Sequence, residues 1–134
     1  MLRGFATINY WTDDLAAARE WYAEFLGVDA YFEVPGGYIE FRIGDSLDEF
    51  GIAHRDYQPH PTEKPAGQVM YWAVDDVQAT LDRLLALGAT EHQPVIERGE
   101  GFVTASVVDP FGNVLGFMYN QHYLDVLGGR AASR

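Results

Sequence analysis

One pattern is written twice along this chain, and a duplicated pattern admits few folds. Gly67 to Gly88 reads GQVMYWAVDDVQATLDRLLALG, and Gly4 to Gly27 reads GFATINYWTDDLAAAREWYAEFLG. Asp13-Asp14 recurs as Asp75-Asp76, each behind a run of apolar and aromatic residues of strand type. Behind each pair the period changes to that of a helix: Leu15, Ala18, Tyr22 and Phe25 make one apolar stripe, and Val77, Leu81, Leu84 and Leu85 make the other. The Asp pairs, with Thr12, supply acceptors and negative charge where a helix N-terminus leaves amides unpaired. Gly27 and Gly88 stand where a left-handed C-terminal cap is wanted.

The repeat continues past the helices. Gly37 to Asp45 (GYIEFRIGD) runs parallel to Gly101 to Asp109 (GFVTASVVD), with apolar residues at matching alternate positions, and Gly51 aligns with Gly116. The chain therefore reads as two βαβββ modules, an α+β arrangement. Two copies imply a pseudo-symmetric domain and not a solenoid, which needs three or more.

In order, strands are expected at Phe5–Thr12, Ala30–Val34, Tyr38–Ile43, Glu49–His54, Val69–Val74, Val95–Arg98, Phe102–Val108 and Val114–Asn120, with helices at Asp14–Leu26 and Val77–Leu87. Residues 1–120 form one domain, with module one at 4–54, a linker rich in proline at 55–66, and module two at 67–120. DPFGN, Asp109 to Asn113, supplies the last tight reversal. Residues 121–134 form a tail in which Tyr123, Leu124, Val126 and Leu127 pack as a short helix while GGRAASR frays.

Composition bounds the function. The chain has 134 residues, is 48% hydrophobic, and carries 9 basic against 20 acidic residues for a net charge of −11. That is ample for one core, and the charge leaves no basic footprint for nucleic acid. With no cysteine, thiolate chemistry and zinc–thiolate sites are excluded. No leader opens the sequence and no apolar run approaches a membrane span, so the expected compartment is the cytoplasm, with no membrane partner.

The ordered signals WTDDLAAAREWYAEFLG, GQVMYWAVDDVQATLDRLLALGA and VVDPFGNVLGFMY resemble the vicinal oxygen chelate superfamily, the group of glyoxalase I, bleomycin-resistance proteins and extradiol dioxygenases. The resemblance covers residues 4 to 120. It implies a curled mixed sheet with helices on the convex side, a ligand cavity in the concave cup, and a divalent metal held from the first, fourth, fifth and eighth strands. Those ligand positions fall on Thr7, Gly51, Val69 and Gly116. Glycine and valine carry no donor atom, and one threonine hydroxyl cannot replace about three ligands. The expectation is a cup with no metal and no other cofactor.

Alternation then assigns the rest of that face. Thr7, Asn9, Trp11, Tyr38, Glu40, Arg42, Gly51, Tyr71, Phe102, Thr104, Gly116 and Met118 are the candidate ligand-binding residues. The space left by Gly51 and Gly116 is expected to admit the ligand. Glu40 is expected to be the only carboxylate on the face, with Arg42 its available partner, and neither Thr104 nor Ser106 has a histidine beside it. The four histidines, at 54, 60, 92 and 122, share no ligand spacing.

The reading that follows is a metal-free binding protein for a small organic ligand, cationic or aromatic, acting as a homodimer. Two alternatives stand beside it. One is a metal-dependent lyase, isomerase or dioxygenase with ligands shifted to positions such as Glu40, His54 or His92. The other is a structural or regulatory dimer whose cup has collapsed.

Overall fold

The computed structural model describes residues 1–60, 63, 65 and 67–132. Two compact units emerge from it: residues 1–64 with 111–113, and residues 65–110 with 114–134. Each carries a four-stranded mixed sheet, so the fold is α+β and built from two modules.

In the first unit, β1 (Ile8–Thr12), β2 (Phe32–Val34), β3 (Tyr38–Ile43) and β4 (Asp48–His54) lie in the order β1-β4-β3-β2. β1 runs parallel to β4, and the other pairs are antiparallel. Helix α1 (Leu15–Leu26) begins at Asp14, whose carboxylate accepts from the Ala17 amide at 3.0 Å, and ends at Gly27 with φ 74°. It buries Ala18 and Tyr22 against β3 and β4. Tyr10, Tyr22 and Phe50 form an aromatic cluster with centroids 5.1–6.1 Å apart. Phe111 joins it at 6.4 Å from Tyr22.

The second unit repeats the plan. β5 (Met70–Ala73), β6 (Thr90–Gly99), β7 (Phe102–Val108) and β8 (Val114–Asn120) lie in the order β5-β8-β7-β6, with β5 parallel to β8. Helix α2 (Val77–Ala86), capped by Asp76 on the Ala79 amide at 3.0 Å, buries Val77, Leu81 and Leu84. Ala105, Val107, Leu115 and Phe117 complete that core.

Several boundaries differ from expectation. β1 begins at Ile8, because Phe5 is fully exposed and has nothing to pack on. β6 runs through Pro94 where the sequence suggested a strand of four residues. It is an edge strand with register irregularities on both sides of Pro94, so the missing proline N–H costs the ladder little. The tail forms a longer helix than expected, α3 (Gln121–Ala132). It starts where Asn120 Oδ1 accepts from the His122 amide at 3.0 Å and continues through Gly128 and Gly129. Ser133 and Arg134 lie outside the described residues. Of the expected linker, Arg55–Tyr57 form a 3-10 turn, and Pro61, Thr62, Lys64 and Ala66 also lie outside them. No helix among the described residues is long and apolar enough to cross a membrane.

Candidate functional site

Strand parity sorts each sheet into a face under its helix and an open face. Tyr10, Ile39, Phe41, Phe50 and Ile52 are buried in the first unit, so the alternate residues, Asn9, Trp11, Tyr38, Glu40, Arg42 and Gly51, share its open face. In the second unit the open face carries Tyr71, Phe102, Thr104, Gly116 and Met118.

Register places Asn9, Gly51 and Glu40 in one row across β1, β4 and β3, and Trp11, Ala53 and Tyr38 in the next. The two small residues of β4 make a floor flanked by larger side chains. Tyr38 lies down across that floor. A β-carbon built on Gly51 would meet the Tyr38 hydroxyl, with Tyr38 Cε2 at 2.5 Å and Asn9 Oδ1 at 2.6 Å. The space expected to admit a ligand is thus held by the chain's own phenol. Gly116 is covered in the same way, its β-carbon position lying 2.8 Å from Tyr71 Cδ1 and 2.9 Å from the Met70 carbonyl oxygen.

A polar cluster surrounds Gly51. The Tyr38 hydroxyl donates to Glu40 Oε1 at 2.7 Å, and the Thr7 hydroxyl, just before β1, lies 3.4 Å from Asn9 Oδ1. Burial pushes the Glu40 carboxyl above its ordinary value, and the nearby Glu49 carboxylate pushes in the same direction, against the pull of Arg42. Burial likewise raises the Tyr38 hydroxyl, which the Thr7 hydroxyl partly offsets.

One expectation about this face is corrected, and the alternative that Arg42 pairs with Glu40 is decided against. Glu40 is not its only carboxylate: Glu49 precedes Gly51 by two residues and shares its side of β4. Arg42 does not pair with Glu40. Its Nη2 donates to Glu49 at 3.0 Å, its Nε to the Tyr31 hydroxyl at 3.2 Å, and its Nη1 to the Leu47 carbonyl at 3.3 Å. Glu49 was missed although it lay in the expected strand, because the face was followed from Gly51 towards Ala53 only; carrying the alternation one step back from Gly51 finds it.

Trp11 is held by its backbone. Asn113 accepts from the Trp11 amide at 3.0 Å and donates to its carbonyl at 2.8 Å. Asn113 is 9% exposed, so the final residue of DPFGN is a positioning residue for this face as well as a turn former.

On the second open face, Tyr71 faces Gly116 and Thr104 faces Met118. Phe102 is half-buried opposite Asn120. Ser106, and not Thr104, stands opposite Gly116 as Glu40 stands opposite Gly51. The shift is two residues, which keeps the face and changes the partner. The expectation that Ser106 has no histidine beside it is also corrected, since His92 Nδ1 lies 2.8 Å from Ser106 Oγ. The extended β6 brings His92 there.

The metal that the resemblance implies finds no donor set at Thr7, Gly51, Val69 and Gly116. The positions above both glycines are filled by tyrosines. No three of His, Cys, Asp or Glu gather into a possible metal group among the described residues. The shifted set fares no better within the first sheet, where Glu40 lies on the open face and His54, opposite Thr12, on the other. These residues do not fit a metal at those positions.

Comparison with known proteins agrees with this architecture. The family model described as glyoxalase/bleomycin resistance protein/dioxygenase superfamily matches residues 4–117. No curated protein matches the sequence. Among solved structures, a glyoxalase-related enzyme from Fulvimarina pelagi is similar at TM-score 0.72 and 22% identity, covering 90% of both chains. Lactoylglutathione lyase from Agrobacterium tumefaciens is similar at TM-score 0.66 and 20% identity, over 87% of this chain and 93% of that one. A mutant of the fosfomycin resistance protein FosX from Listeria monocytogenes, complexed with Mn(II) and 1S,2S-dihydroxypropylphosphonic acid, is similar at TM-score 0.72 and 14% identity, over 90% and 92%. At these identities the likeness is one of fold. The chain belongs to the glyoxalase/bleomycin resistance protein/dioxygenase superfamily.

Proposed function

We propose that this protein binds a small organic cation, aromatic or amphipathic in character, without a metal, on the open face of the first sheet. The observation that carries the reading is Glu40. Its carboxylate is partly buried, lies against the Glu49 carboxylate and accepts from the neutral Tyr38 phenol, while Arg42, which pulls on it from a distance, is hydrogen-bonded to Glu49. A ligand ammonium would supply the charge this site lacks. Trp11 and Tyr38, either side of Ala53, offer aromatic faces, and a cation over such a face gains about 0.5–2 kcal/mol. A homodimer belongs to the same proposal, supported by the exposed edge strand β2 with Phe32 and Val34.

Titration of tryptophan fluorescence with benzylammonium and with benzyl alcohol tests the reading. The ammonium is expected to bind more tightly, and Glu40→Gln to remove the preference. Equal affinity for the two probes in the unaltered protein would refute it.

A second reading, a metal-dependent lyase, isomerase or dioxygenase, is favoured by one observation, the neighbouring Glu40 and Glu49 carboxylates, together with the Mn(II) bound to the FosX relative. Stoichiometric manganese or zinc in the purified protein, lost in Glu40→Gln, would establish that reading in place of the first.

A further inference from the structure

The open face of the second sheet has a different chemistry. Along β7, Thr104 and Ser106 present hydroxyls two residues apart, and each holds a nitrogen-bearing side chain from β6. Arg98 Nε donates to Thr104 Oγ1 at 3.1 Å, and His92 Nδ1 meets Ser106 Oγ at 2.8 Å. Both hydroxyl residues are buried, Ser106 at 1% and Thr104 at 5% exposed, whereas Arg98 and His92 are exposed. Ser106 is therefore too enclosed to attack a substrate. It serves to hold the ring.

Arg98 is notable for what it does not touch. In a chain of net charge −11, Arg19, Arg42 and Arg55 each have a carboxylate partner. Arg98 has only the Thr104 hydroxyl, and no carboxylate lies within 4.0 Å of it among the described residues. The acidic neighbours are directed elsewhere: Glu91 and Glu97 pair with Val107 and Val103 on the helix side of β7, and Glu100 lies in the turn. With Nε engaged, the terminal guanidinium N–H groups remain for a ligand.

We propose that this face is an oxyanion site, in which Arg98 and His92, each fixed by a β7 hydroxyl, grip one phosphate or phosphonate group of a small molecule from two sides. The anchoring hydroxyl residues are two apart on one strand, about 7 Å. That spacing puts the two anchored side chains at neighbouring positions of one face, Arg98 offering its terminal N–H groups and His92 its ring to a charge-assisted hydrogen bond. The grip uses the tautomer in which the Ser106 hydroxyl donates to Nδ1, which leaves the imidazole proton on Nε2 to be donated to the ligand. A carboxylate, planar and smaller, is satisfied by the Arg98 fork alone.

The site is tested on the full-length protein at low ionic strength, by following the Arg98 Nε–H and His92 ring resonances while inorganic phosphate or acetate is added. Phosphate is expected to shift both sets saturably. Arg98→Gln should weaken it at least tenfold, and Ser106→Ala about threefold as the ring loses its anchor. Acetate should move Arg98 and leave His92 still. Absence of saturable shifts with phosphate, or unchanged affinity in Arg98→Gln with an unaltered amide spectrum, would overturn the proposal. So would acetate binding as tight as phosphate. Glu40→Gln should leave the phosphate titration intact, so failure here is separable from failure of the cation site on the first sheet.

Discussion

The Tyr38 ring occupies the place that a side chain at Gly51 would take, with Cε2 only 2.5 Å from the would-be β-carbon. Gly51 is not among the glycines with positive φ, so its backbone conformation does not itself call for glycine. What demands glycine is the neighbour lying over it. The same holds for Gly116 beneath Tyr71, with one difference: there the backbone carbonyl of Met70 also lies close.

That difference sets a testable order. In Gly51→Ala the atoms in the way belong to side chains, so Tyr38 swings out and the cost is about 1–2 kcal/mol; in Gly116→Ala the Met70 carbonyl cannot retreat, and the cost is about 3 kcal/mol. Urea denaturation measures both. Adding Tyr38→Ala should relieve most of the first penalty, whereas Tyr71→Ala should relieve little of the second.

The raised Glu40 pKa has a defined sign. A carboxyl held above its unfolded value contributes stability that is fully present below the unfolded pKa and is lost as pH rises through the folded one. Denaturation from pH 4 to 7 should therefore show a falling contribution that Glu40→Gln removes. Ligand affinity runs the other way. Binding of benzylammonium should weaken as pH is lowered, beginning above the range of an ordinary glutamate, and at pH 7 Glu40→Gln should cost about tenfold or more.

Removal of Asn113 leaves the Trp11 amide and carbonyl without their partners. Asn113→Ala is expected to destabilise the protein by about 2–3 kcal/mol, since two hydrogen bonds are lost and two part-buried backbone groups are left without these partners. Thermal unfolding followed by calorimetry checks the size. Asn113→Asp keeps the acceptor for the amide and should recover part of the loss.

Trp11→Ala should lower benzylammonium affinity about three- to thirtyfold, the range a cation–aromatic contact spans. Calorimetric titration is the suitable measurement, since the variant also loses a fluorophore. An unaltered affinity would move the ligand away from β1.

The duplicated pattern carried the two sheets, the caps at Asp14 and Asp76, and the side on which each strand residue falls, because period and parity are local properties of the sequence. Partner identity is not local. Glu40 and Arg42 share a face and still do not pair, since β4 offers Arg42 the closer Glu49. Ser106 in place of Thr104 opposite Gly116 reflects a register that turn lengths decide. His92 was lost behind Pro94, which reads as a break in any strand except an irregular edge. The tyrosines over the glycines left no trace in spacing, because a small residue looks the same whether it makes room for a ligand or for its own neighbour.

Phe111 and Asn113 belong with residues 1–64, where they complete the aromatic cluster around Tyr22 and the backbone clasp on Trp11. A nascent chain that has emerged only as far as the first repeat thus lacks pieces of its own core, and must wait nearly fifty residues for them. Although the sequence looks like two copies set end to end, the first copy is not a product that could be cut off and kept. Severing the chain between the repeats should leave a first half with an unsatisfied strand and a thinned core, prone to aggregate until the other half is supplied.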